Sequence, residues 1–295
     1  MIALSGPWTC VLFAGKRQKQ RGNAVADPLA DARIQIALAS RMLAHEGVLD
    51  AFGHVSLRHP KDPGRYLLSR ARAPQLVEPG DILEYDLDSD PVKKSDVQQF
   101  SERVIHGELF KARPDVMAIC HHHAAAIMPF AISGGALVPV FHLPAALGET
   151  IPFWDSRDDF GDTNLLVRTP EEGASHARGL GQHAAVLLRR HGATVVGRDL
   201  HEVVSRSIYM CQNAEYQMKA QLLGGVDVLT PGETKLAGAI NTQPNVVSRT
   251  WEVWTVRLEE AGRWPPAGAK KGSLAKGAKQ ISSAKKPSAK SKGRK

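Results

Sequence analysis

Apolar residues recur at helical spacing near the start of the chain. Ile34, Ile36, Leu38, Met42 and Leu43 stand among alanines, which predicts an amphipathic helix over residues 28–49 that closes near Gly47. Short apolar runs follow. Val55-Ser56-Leu57 and Tyr66-Leu67-Leu68 read as strands separated by a Pro60-Lys61-Asp62-Pro63-Gly64 turn, and Ile82 to Asp86 reads as a third. Ser101 is the expected N-cap of a helix that Pro114 closes from outside. The run Val116 to Ile119 predicts a buried strand, followed by a helix from Ala124 and a strand near Val138-Pro139-Val140. An Asp- and Gly-rich loop, Asp155 to Asp162, leads to an expected strand at Leu165-Leu166-Val167. Glu171 to Gly181 suits a helix, and the apolar runs Ala184 to Leu188 and Ala193 to Val196 flank Arg190-His191-Gly192. Asp199 with Glu202 three residues later resembles a capping box opening a long helix to about Leu223. Trp251, Trp254 and Leu258 mark a last amphipathic helix, expected to dock on the body or on a neighbouring subunit. Short strands mixed with helices and no internal repeat predict a single α/β domain, not a plain βαβ alternation.

With 295 residues the chain can bury a substantial core. No run of about 18 apolar residues appears, so no membrane span is expected. Residues 1–27 are mildly apolar over the first 15, but Pro7 interrupts this stretch and the basic residues come after it. They read as a disordered leader or an upstream start, not a signal peptide. Cys10, Cys120 and Cys211 are too few and too scattered for a disulfide framework, which fits a reducing cytoplasm. The net charge of +8 belongs to one end: removing the eleven lysines and arginines from Arg263 onward leaves the rest at −3. The expected organisation is therefore a main domain over 28–225, a C-terminal extension with its docking helix over 226–262, and a basic, disordered tail over 263–295. Such a tail implies weak charge-driven contact with anions and no dedicated nucleic-acid partner.

Chemistry concentrates in Cys120-His121-His122-His123. On a strand, His121 and His123 share one face and His122 takes the other. Two imidazoles side by side suit half of a divalent metal site, although solvated loop histidines would give the same pattern. Cys120 alternates away from the pair and reads as filler. His191, between two apolar runs, is the natural third ligand, with Gly192 permitting a tight bend or a close approach. Glu102, in the first turn of its helix, is favoured in its ionised form and suits a proton acceptor. His106 lies one helical turn further on the same face.

The order Ser101-Glu102, Arg113-Pro114-Asp115, His121-His122-His123 and His191-Gly192 resembles the class II aldolase/adducin family over roughly residues 30–225. The resemblance implies a mixed β-sheet flanked by helices on both sides. It implies His121, His123 and His191 as metal ligands and Glu102 as the acid/base. It also implies a homotetramer with sites near subunit boundaries. The expected cofactor is one divalent ion per subunit, zinc first, with manganese, iron or cobalt also suited to the donors. No organic cofactor is expected, because no glycine-rich nucleotide motif is present.

Departures from the sugar-phosphate branch narrow the substrate. Where that branch keeps small residues for a phosphate, this chain has Gly53-His54, Ser69-Arg70 and Phe100-Ser101. A guanidinium suits a planar carboxylate and a phenyl ring suits another ring. His54, Ser69, Arg70, Ser101 and His106 are thus the expected substrate-binding residues. His142 stands where the family's catalytic tyrosine would fall and is a second candidate for proton transfer. The runs Leu68 to Pro74 and Glu102 to Glu108 are similar to a branch acting on aromatic or other non-phosphorylated acids. That branch holds dihydroxyphthalate decarboxylases and the iron-dependent oxygenases of aminocoumarin biosynthesis. The expected activity is metal-dependent decarboxylation of a hydroxylated aromatic acid. The alternatives are aldol cleavage of a non-phosphorylated hydroxy-keto acid, oxygenation at Fe(II), and an adducin-like scaffold without catalysis.

Overall fold

Asp27 opens the first helix, α1 (Pro28–His45), by accepting a hydrogen bond from Leu29 N–H, with Pro28 in the first turn where its missing donor costs nothing. The helix buries Ile36, Met42 and Leu43, as the spacing predicts. The computed structural model describes residues 27–94 and 96–264. The expected leader and nearly all of the basic tail lie outside the described residues.

Among the described residues seven strands form one sheet: β1 (His54–Arg58), β2 (Arg65–Ser69), β3 (Ile82–Asp86), β4 (Ala118–His122), β5 (Phe153–Trp154), β6 (Ala185–Leu188) and β7 (Gly192–Gly197). Their spatial order is β3-β2-β1-β4-β7-β6-β5, antiparallel except between β5 and β6. The remaining helices are α2 (Arg103–Ala112), α3 (Met128–Ser133), α4 (Arg157–Phe160), α5 (Pro170–Leu180), α6 (Leu200–Leu222), α7 (Pro231–Asn241) and α8 (Pro244–Glu260). Helices α1, α6 and α8 cover one face, packing on Val55, Leu67, Cys120, Leu187 and Val195. Helices α2 and α5 cover the other, where Ile105 and Leu109 meet Tyr66, Leu68, Ile119, Val186 and Val196. The mixed sheet with helices on both sides is thus the observed architecture. Strand β4 lies between β1 and β7, so both its faces are covered and its sequence runs apolar up to the histidines.

Several local expectations are corrected. Ser101 is exposed and does not cap α2; Glu102 takes the N-cap position without a side-chain capping bond. The helix expected from Ala124 starts at Met128, because Ala124 N–H turns back to His122 Nδ1. Residues 138–140 do not join the sheet. Pro139 has no N–H to offer a ladder, and the neighbouring groups pair with side-chain amides of α6 instead. Val138 and Val140 N–H donate to Gln217 and Asn213, whose amides donate to the Ala136 and Val138 carbonyls. Residues 165–167 are likewise no strand: Leu165 has a φ of 68°, and the polar backbone groups serve the site below. Asp199 caps α6 as expected, but Glu202 returns to Arg198 N–H, so the box is only half formed. Helix α7, opened by a Thr230/Glu233 capping box, was not anticipated. Trp264 is buried against the core, which carries the folded packing just past the boundary expected at Arg263.

Candidate metal centre

Strand β4 ends at the middle of the sheet, and the register places His121 opposite His54 on β1 and opposite Thr194 on β7. All three side chains therefore share the face covered by α2. His123 follows one residue past the strand end. His191 sits in the β6–β7 turn, preceded by Arg190 at a φ of 53°. Gly192 lies so close to β4 that a Cβ there would stand 2.1 Å from the His122 carbonyl oxygen. Only glycine lets the turn fold over the histidine strand. The close approach expected of Gly192 is therefore present.

The three rings meet through one nitrogen each. His191 Nε2 is 3.2 Å from His121 Nε2 and 3.0 Å from His123 Nε2. Nitrogens about 2.0–2.1 Å from one tetrahedral ion stand roughly 3.3 Å apart. Two of the other ring nitrogens have hydrogen-bond partners. His191 Nδ1 lies 2.6 Å from the Leu165 carbonyl, which can only accept, so the proton is on Nδ1 and Nε2 is a bare lone pair. His121 Nδ1 lies 3.0 Å from Thr194 Oγ1, and His123 Nδ1 lies 4.0 Å from Asp50. Such outer partners fix ring orientation in metal sites. Glu102 completes the group: its oxygens are 3.4 Å from His191 Nε2 and 3.9 Å from His121 Nε2. Ligand atoms from Glu102, His121, His123 and His191 all lie within 4.8 Å of one another. Three converging imidazole nitrogens and a carboxylate oxygen form a donor set that fits a divalent cation. Burial first, and the neighbouring histidines second, hold His121 well below the usual histidine range and lower His123, so both favour the neutral form that ligates.

Glu102 is held from behind, where Val167 N–H donates to Oε1 at 3.0 Å. The segment expected to be a strand thus supplies one carbonyl to His191 and one N–H to Glu102. His122 takes the opposite face, fully buried, as alternation requires.

His54 and His106 are also brought to this side. His54 Nδ1 is 2.7 Å from His106 Nε2, and the His54 ring lies 4.5 Å from Phe100 and 5.3 Å from His121 between centroids. Phe100 is delivered by the loop before α2, which Ala71 N–H pins through the Gln98 carbonyl. Arg70, just past the end of β2, gives its Nε to Asp81 at 2.7 Å, while Arg72 takes the other carboxylate oxygen. The terminal nitrogens of Arg70 have no partner among the described residues. Ser69 alternates to the face opposite Leu68, away from His54. Ser101 is exposed beside Glu102. His142 is exposed, its carbonyl accepting from Asn241, and it stands outside the four-residue cluster. The sequence reading missed Thr194, Asp50, Ser56 and the Leu165 and Val167 backbone. Thr194, the polar residue inside the apolar run Ala193 to Val196, left a detectable signal; the backbone contacts left none.

Fold and site together define an α/β protein with a candidate three-histidine, one-carboxylate metal centre at the end of its central strand. The sequence pattern described as Class II Aldolase and Adducin N-terminal domain matches residues 34–218, and the chain belongs to that family. It is 31% identical over 245 residues to decarboxylase tropJ of Talaromyces stipitatus, covering 75% of this chain and 91% of that one. It is 30% identical over 236 residues to a 3,4-dihydroxyphthalate decarboxylase of Arthrobacter keyseri, covering 72% and 90%. The L-fuculose 1-phosphate aldolase of Glaciozyma antarctica shares the fold, with a TM-score of 0.66 at 21% identity over 78% of this chain and 91% of that one.

Proposed function

We propose that the protein is a divalent-metal-dependent carbon–carbon lyase that decarboxylates a hydroxylated aromatic carboxylic acid. The observation that carries this reading is the convergence of three histidine nitrogens and Glu102 beside a wall made by His54 and Phe100. Relatives named as decarboxylases support it. A cation held by His121, His123 and His191 would draw charge from substrate oxygens as the bond to the carboxylate breaks.

The chain's own groups supply the rest. Glu102, steadied by Val167 N–H, takes the proton of the substrate hydroxyl on binding. When carbon dioxide leaves, the bond's electron pair stays on the ring carbon, and Glu102 returns its proton there. The oxygen left as an anion is reprotonated from solvent, so the reaction consumes one proton and releases one carbon dioxide. Phe100 supports the ring, and the free end of Arg70 receives a second acid group, its tilt set by Asp81. His106 braces this wall through His54, and exposed Ser101 stands beside Glu102, while Ser69 lies on the opposite face and takes no part. In the homotetramer that the family resemblance implies, His142, which stands outside the four-residue cluster, would serve as a second proton donor from a neighbouring copy.

The test is a panel of hydroxylated benzoic and phthalic acids, assayed for released carbon dioxide with enzyme loaded with zinc, manganese, iron or cobalt. Release by the loaded wild type and its loss in Glu102→Gln support the reading. Efficient cleavage of a sugar phosphate, or dioxygen consumption in place of carbon dioxide release, would overturn it.

A further inference from the structure

Beside the metal centre runs a chain of hydrogen bonds that the reaction above does not require. Ser56 Oγ lies 2.6 Å from His106 Nδ1, and His106 Nε2 lies 2.7 Å from His54 Nδ1. Ser56 and His106 are fully buried and His54 is 3% exposed. His54 Nε2 makes no hydrogen bond to a described residue. It is also absent from the sealed, unpartnered atoms of the interior, so it opens onto accessible space. The ring borders Phe100 at 4.5 Å and the His121 ring at 5.3 Å between centroids, so that space adjoins the metal centre.

The direction of the chain follows from counting donors. Among the described residues the Ser56 hydroxyl has one partner, and a buried hydroxyl hydrogen without an acceptor is costly, so Ser56 donates to His106 Nδ1. His106 then carries its proton on Nε2 and donates it to His54 Nδ1. No carboxylate touches either ring among the described residues, so nothing holds a second proton on the pair. His54 is left with its own proton on Nε2.

We propose that His54 anchors the substrate through a fixed Nε2–H donor, and that Ser56 and His106 are positioning residues that set this direction. A donor at this place selects an anionic oxygen, a carboxylate or a phenolate, on a ring resting against Phe100. Without the relay, His54 could present either a donor or a bare lone pair, and the selection would be lost. His106, expected to touch substrate, acts one residue behind it. The substrate class rests on the decarboxylase reading; the direction of the chain does not.

Two measurements on zinc-loaded protein test this. Long-range proton–nitrogen correlation with nitrogen-15 histidine, assigned with His54→Gln and His106→Asn, should show both rings protonated on Nε2. Protonation of either ring on Nδ1 would overturn the proposal whatever the enzyme turns over. Calorimetric titration with salicylate should then show binding weakened about tenfold or more by His54→Phe, since a hydrogen bond to a charged group is lost. His54→Gln, which keeps a donor, should recover part of that loss. Ser56→Ala should weaken salicylate several-fold with unchanged zinc content, and Ser56→Thr should restore it. Absence of salicylate binding to the wild type, or equal binding by His54→Phe, would overturn the anchoring role. A protein that meets both expectations yet releases no carbon dioxide from any acid would keep the donor and lose the decarboxylase reading.

Discussion

Glu102 shows how much one residue's role depends on its precise place. In the first turn of a helix it would be an ordinary stabilising carboxylate. At the N-cap position, with Val167 N–H behind it and two histidine nitrogens before it, it faces the site. Glu102→Gln keeps the shape and the acceptor for Val167 but loses the basic oxygen. It should lower kcat by about 10²–10⁴-fold with metal content largely kept by the three histidines, and a fully active variant would remove Glu102 from the chemistry. His176 poses the opposite case. Both its ring nitrogens are buried without a hydrogen-bond partner among the described residues, edge-on to Trp154. His176→Leu should therefore raise the stability measured in urea by about 1 kcal/mol, because an unpaired polar group leaves the interior; a marked loss would reveal a partner. The buried histidines also set a pH dependence. Burial first, and a neighbouring histidine second, push His106, His122 and His176 down to about 3. Unfolded, each takes a proton near pH 6.5. Between those values the unfolded chain binds more protons, so stability is full above about pH 6.5 and falls as pH drops toward about 3. Each such group contributes a slope of up to about 1.4 kcal/mol per pH unit. A urea midpoint that stays flat from pH 6.5 to 4 would contradict the assignment.

At the scale of elements, the strand-and-turn frame was readable because its hydrophobic runs and turn residues agree. Strand β4 and the β6–β7 turn were placed well enough to bring His121, His123 and His191 together. The failures fall where backbone groups find side-chain partners. Residues 138–140 and 165–167 carry strand-forming sequence, yet their polar groups are satisfied by Asn213, Gln217, His191 and Glu102. A propensity for extended structure does not say which neighbour completes it. Helix α7 escaped notice because Leu236 and Ile240 are exposed, so its sequence carries no core-facing stripe. The amide ladder makes a sharp prediction. Asn213→Leu leaves Val140 N–H and the Val138 carbonyl unpaired and should cost about 2–3 kcal/mol. An unchanged urea midpoint would show that the ladder is not what holds this segment.

Over the whole molecule, three layers place one strand end where helix α2, the β6–β7 turn and the 163–169 segment meet, and the chemistry gathers there. Helix α8 completes the layer over α1 and α6 with Trp251, Trp254 and Leu258, and Trp264 extends it. The sequence beyond that point is rich in Lys, Ala, Ser and Gly and carries no apolar stripe, so truncation after Trp264 should leave turnover and assembly intact. Among the described residues, no helix is long and apolar enough to cross a membrane. The central claim concerns the ion, and equilibrium dialysis of chelator-stripped protein against zinc or manganese tests it most directly, with bound metal counted by mass spectrometry. Wild-type protein should hold about one ion per chain, and His121→Ala or His191→Ala should hold far less, because a site of three protein ligands loses one. A wild type that takes up no metal, or a His191→Ala variant that retains a full complement, would contradict the account.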